Sequence, residues 1–129
     1  MSLFKKNKIK IEVDRNKWNK MWNLWAEEKI ESPYKELMTY QSEINNGGHD
    51  QYFFNIENTG KLEKEINVLK TILPKSLKAN LEKAYNAYLK YNDKEDKLLD
   101  ILEKNDEIFY KYEEDINQIL ETFSSTIKL

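Results

Sequence analysis

Cysteine is absent from this 129-residue chain, histidine occurs once, proline twice and glycine three times, and a single arginine accompanies twenty lysines. Each shortage excludes a chemistry. Without cysteine there are no disulfides, no thiolate-held zinc and no thiol nucleophile, and the redox compartment stays undetermined. His49 has no second imidazole at ligand spacing, so no metal or cofactor is expected. With only Arg15 available, bidentate readout of guanine or clamping of phosphate has almost no donor. There is no phosphate-cradling glycine loop and no Gly-x-Ser-x-Gly elbow. No run of about 18 apolar residues occurs, and nothing apolar follows the lysines of "MSLFKKNKIK". A soluble, cytoplasmic, non-enzymatic protein is the expectation.

What is present is charge, unevenly placed. The formal net charge is only −2, yet residues 1–20 carry seven basic and two acidic side chains, whereas residues 93–121 carry eleven acidic and four basic. The chain is electrically polar from end to end. A length of 129 residues suits one domain, which can bury roughly two-thirds of its unfolded surface without a staple.

Residues 8–13, "KIKIEV", alternate apolar and charged with period two, the pattern of a short edge strand or extended arm. A lone strand needs a partner, so the arm is expected to pack on helices or to pair with another copy. From Asp14 the period lengthens. Trp18, Met21, Trp22 and Trp25 form a helical stripe that Asp14 can cap, and its tryptophans are expected to face the core or a two-fold dimer interface. Ser32 as N-cap and Pro33 at the first helical position open the next helix, with Tyr34, Leu37, Met38 and Gln41 on one face and Gly47 as its stop. "HDQYFFN" gives about two further turns. Leu62, Ile66, Leu69 and Leu73 align before Pro74, and Ser76 can cap a helix bearing Leu77, Leu81, Ala84, Tyr88 and Tyr91. Asn92 with Glu95 resembles a capping box for a helix turning Leu98, Leu99 and Leu102 inward. Ile108, Phe109, Tyr112, Ile116, Ile119, Leu120 and Phe123 mark the last helix. The fold class is therefore all-α: a compact single domain of six or seven helices over 14–123, preceded by a basic arm (1–13) and followed by a tail (124–129).

The segment "EINNGGHDQYFFN" concentrates the unusual residues. Asn46, Gly47 and Gly48 let the chain leave one helix and enter another, with a positive φ expected at one glycine or both. Gln51 and Asn55, four apart on one face, can bond carbonyls that the turn leaves unpaired, with Tyr52, Phe53 and Phe54 inserted around them. An amide-lined ligand pocket is the competing reading. Asp50 neighbours His49 but points about 100° away along a helix, a poor geometry for orienting an imidazole, so His49 reads as a partly exposed turn residue.

This segment resembles the signature of the DNA-mimic-protein-like (DMP-like) domain family, whose members carry an acidic residue, Asn-Gly-Gly, then Gln with aromatics and a closing Asn. Glu43, Asn46, Gly47, Gly48, Gln51, Phe53, Phe54 and Asn55 match that pattern, and "NDEIFYKYEEDI" resembles the family's acidic, aromatic final helix. The resemblance runs from about Tyr34 to Leu120. It implies an all-helical domain without known catalytic activity and, for the member that names the family, binding of a DNA-binding protein through an acidic surface.

The acidic end supplies matching candidates. Asp93, Asp96, Asp100 and Glu103 lie at spacings of 3, 4 and 3 opposite the leucines, and Glu107, Glu114 and Glu121 recur every seven residues on the final helix. The paired carboxylates at 27–28, 63–65 and 113–115 fall away from the apolar stripes and read as solvated. Three functions compete: a protein-interaction domain presenting this acidic face to a basic, DNA-binding protein; a ligand-binding or enzymatic domain built on the Asn-Gly-Gly turn; and a nucleic-acid binder using Lys5, Lys6, Lys8, Lys10, Arg15, Lys17 and Lys20. They rank in that order, and the charge rows carry the first.

Overall fold

The structure, a computed structural model, describes residues 12–129. Among these residues there are five helices and no strand: α1 (Arg15–Ala26), α2 (Tyr34–Glu57), α3 (Leu62–Leu69), α4 (Lys75–Tyr91) and α5 (Glu95–Ser124). Residues 8–11 of the expected strand lie outside the described residues, and Glu12 and Val13 are not in a strand. The all-α expectation holds; the count of six or seven helices does not.

Two joins account for the smaller number. The first is at the glycines, where α2 runs on from Tyr34 to Glu57 with one non-helical residue, Gly48 (φ 78°, ψ −175°). The break is therefore at Gly48, not Gly47, and it bends a helix into two limbs. The second is at residues 103–107, where Asn105 and Asp106 disfavour helix interiors and suggest a boundary. No boundary forms, because Asn105 is itself part of the buried stripe Leu98, Leu102, Asn105, Phe109, Ile116 and Leu120. Its side chain donates to Asn80 Oδ1 of α4 at 2.7 Å, and Asn80 Nδ2 returns a bond to the Asn105 carbonyl at 2.9 Å. A hydrogen-bonded polar pair, in which Asn105 Oδ1 alone lacks a partner, lets a single 30-residue helix continue through a polar sequence.

Asp14 caps α1 as expected, accepting from Asn16 N and Lys17 N. The other expected caps are replaced. Ser32 donates to Glu36 Oε2 at 2.7 Å instead of capping α2. Ser76 lies inside α4, whose N-cap is Pro74, and Lys94 occupies the N-cap of α5. In all three cases the residue at the N-cap, Pro33, Pro74 or Lys94, makes no side-chain capping bond.

The core lies between α2, α3, α4 and α5, with Leu37, Tyr40, Ile44, Phe53, Leu69, Leu81, Phe109 and Ile116 fully or almost fully buried. Trp18, Trp22 and Trp25 pack against it, half-buried and edge to face, with Trp25 Nε1 donating to Thr39 Oγ1 at 2.9 Å. Tyr34 stacks on Phe123 with ring centroids 4.0 Å apart, closing the start of α2 on the end of α5. Helices α1, α2 and α4 all lean on α5. The stripe of α5 that they leave uncovered is rich in carboxylates, so Leu99, expected inward, is exposed on it instead.

Candidate functional site

A helix limb begins with backbone N–H groups that have no partner within it. In the second limb of α2 the first of these belongs to His49, and Asp106 of α5 satisfies it. Asp106 Oδ1 accepts from His49 N at 2.8 Å and from His49 Nδ1 at 2.6 Å. On the other side of the ring the Tyr40 hydroxyl lies 2.7 Å from Nε2. An ionised carboxylate can only accept, so Nδ1 carries a ring proton, and in the neutral imidazole Nε2 then accepts the phenolic one. Burial, and then the Asp106 charge, hold the Tyr40 phenol well above its ordinary pKa. The carboxylate also favours the positive end of the limb's dipole.

His49 is therefore not the partly exposed turn residue that its neighbours suggest. It is fully buried, as is Tyr40, and its carboxylate partner is Asp106, 57 residues away, whereas Asp50 is exposed. Gly48 permits this approach twice over. Its φ and ψ fall in a region that only glycine populates, and a Cβ there would collide with the Asp106 carboxylate.

Glu43 ties the two limbs together from the other side. Its Oε1 accepts from Gln51 Nε2 and from Asn55 Nδ2, each at 2.9 Å. The two amides thus bond a carboxylate, not the unpaired carbonyls. A carbonyl at the end of the first limb, Ile44 O, is met by the Tyr110 hydroxyl at 2.9 Å. Gly47 lies where a side chain would press on Gln51 and disturb this clamp. Phe53 is buried against Tyr88, Asn46 is exposed, and Phe54, expected inside, points to solvent.

The two halves of the family-like signature meet along one antiparallel seam. Asp106, Tyr110, Glu113 and Asn117 of α5, spaced 4, 3 and 4, reach His49, Ile44, Asn45 and Gln41 in turn. Glu113 accepts from both Gln41 and Asn45, so it is not simply solvated. Glu65 departs from that reading as well: it accepts the Tyr52 hydroxyl at 3.2 Å, and burial raises its pKa despite that bond. The clue to Asp106 was in the chain, since the 4-3-4 spacing marks one helical edge, but its partner could not be read there.

The acidic face gains from the joining of the last two expected helices. Asp93 precedes α5, while Asp96, Asp100, Glu103, Glu107, Glu114 and Glu121 lie along it. At about 100° per residue these six fall within an arc of roughly 60°, spread over about 38 Å of one helix. The first five are exposed and Glu121 is half-buried. Lys97, Lys104 and Lys111 follow one margin of the row, and among the described residues none of the seven carboxylates is held in an ion pair. No described helix is long and apolar enough to cross a membrane, and no group of three or more metal-ligating side chains occurs among the described residues.

Neither the curated proteins nor the solved structures compared with this chain match it. A family model described as DMP19-like protein matches residues 28–127, which takes in the kinked α2, the seam and nearly all of α5. With that much of its length matched, the chain belongs to the DMP19-like protein family.

Proposed function

We propose that this protein is a non-enzymatic interaction domain that binds a basic, DNA-binding protein through the carboxylate row of α5. The observation that carries the reading is the continuity of the row: six carboxylates on one edge of one unbroken helix. Asp96, Asp100, Glu103 and Glu107, three or four residues apart, sit roughly 5–6 Å from one another, close to the spacing of successive phosphates along a nucleic-acid strand, and Glu114 and Glu121 follow at intervals of seven residues, about 10 Å. The row is rigid because α1, α2 and α4 brace the opposite side of α5. Family membership points the same way. The non-enzymatic part is supported by the Tyr40–His49–Asp106 chain, in which the hydroxyl and the imidazole are both closed to solvent.

The test is a pull-down from the native host with the wild-type chain and with Asp96, Asp100, Glu103, Glu107 and Glu114 changed to their amides. A specific basic protein should be captured by the wild type alone, with unchanged melting of the variant and with affinity that falls steeply with salt. Capture that survives both the substitutions and high salt removes the acidic-face mechanism.

A further inference from the structure

Glu36 is buried without the partners that a buried carboxylate needs. The residue is only 7% exposed; the Ser32 hydroxyl donates to its Oε2 at 2.7 Å, while Oε1 is closed to water and meets no donor. Among the described residues no cation pairs with it. A glutamate three residues past an N-cap ordinarily reaches back to the backbone N–H of the cap, but the N-cap of α2 is Pro33, which has none. The helix dipole favours the charge there and supplies neither the missing donor nor a counter-ion.

That carboxylate lies one hydroxyl away from a groove of about 630 Å³, a volume in the range of small-molecule sites. Ser32 and Pro33 line the groove from the start of α2, and Asn67, Val68 and Thr71 line it from α3 and the turn that follows. Both hydroxyls have committed their protons elsewhere: Ser32 donates to Glu36, and Thr71 Oγ1 donates to the Val68 carbonyl at 2.6 Å. Each oxygen can therefore only accept from a ligand. Glu63 and Lys64 also line the groove, are exposed, and offset one another in charge, which leaves Glu36 unbalanced.

We propose that this groove binds a small organic cation, a primary ammonium on a short apolar body, whose N–H donors meet these acceptor oxygens and whose charge Glu36 balances. Pro33 and Val68 supply apolar surface for the body. A compact ammonium with three donors suits separate acceptor oxygens better than the planar fork of a guanidinium. A metal ion lacks ligands, since no group of three or more metal-ligating side chains occurs among the described residues. The site lies on α2 and α3 and is independent of the carboxylate row of α5 and of the partner proposed for it.

The test is an NMR titration of the isotope-labelled full chain with n-butylammonium chloride, with n-butanol as the neutral match and sodium chloride as the ionic-strength blank. Backbone amide signals of Ser32, Asn67, Val68 and Thr71 should shift saturably, with half-saturation at about 1 mM, within the ceiling for so small a ligand. Glu36→Gln should raise the half-saturation about tenfold or more, and Thr71→Val, at an exposed position beyond α3, about threefold. Should the Glu36 variant fail to fold, Thr71→Val carries the test. Equal shifts with butanol, shifts that sodium chloride reproduces, or unchanged affinity in either folded variant overturn the proposal. Tighter binding of acetyl-glycyl-lysyl-glycinamide than of butylammonium also overturns it, by assigning the groove to a lysine side chain of a protein.

Discussion

Replacing Gly48 by alanine adds one methyl group at the point where backbone conformation and tertiary contact coincide. A non-glycine residue held near φ 78°, ψ −175° costs about 1–3 kcal/mol in strain. The new Cβ also overlaps the Asp106 carboxylate, which has to withdraw from His49 N and Nδ1. Those two charge-assisted bonds share one oxygen and fail together, and leaving buried donors unmet costs about 2–3 kcal/mol more. The loss is then about 3–6 kcal/mol against a total stability of about 5–15 kcal/mol. Urea denaturation followed by tryptophan fluorescence measures it, because all three tryptophans pack on the core. Gly60→Ala is the control: its φ is 76° but its Cβ would meet nothing within 4 Å, so it should cost only the strain, about 1 kcal/mol. Equal destabilisation of the two variants, or a Gly48→Ala protein within about 1 kcal/mol of wild type, would refute the account of Asp106 as the partner of the second limb.

Tyr40→Phe leaves His49 Nε2 buried without a donor and should destabilise by about 1–3 kcal/mol in the same assay, while nitrogen NMR of the wild type should show the ring proton on Nδ1. A proton found on Nε2 would reverse the assigned direction of both bonds. Glu65 makes a pH prediction. Burial raises its folded pKa above the unfolded value, so its favourable contribution is present below about pH 4.3 and is lost as pH rises through the folded pKa. Glu65→Gln should therefore gain thermal stability relative to wild type between about pH 4 and 7, and a relative loss over that range would contradict the burial argument.

The amphipathic stripes of four of the five helices, the Asp14 cap and a glycine with positive φ were legible in the chain, because helical period and glycine's conformational freedom are properties of a few neighbouring residues. The acidic row was legible too, in two pieces. What joined the pieces was Asn105, a residue whose local preference argues for a break and whose buried exchange with Asn80 removes it. His49 shows the same limit more sharply. Its neighbours describe an exposed turn, but its hydrogen bonds go to Tyr40 and to Asp106, nine and 57 residues away. Sequence alone determined the helical class and which residues could form each apolar face. Tertiary packing decided where the chain bends without stopping, which carboxylate is paired inside and which remain in water, because burial and hydrogen-bond satisfaction depend on the elements that meet and not on the spacing within any one of them.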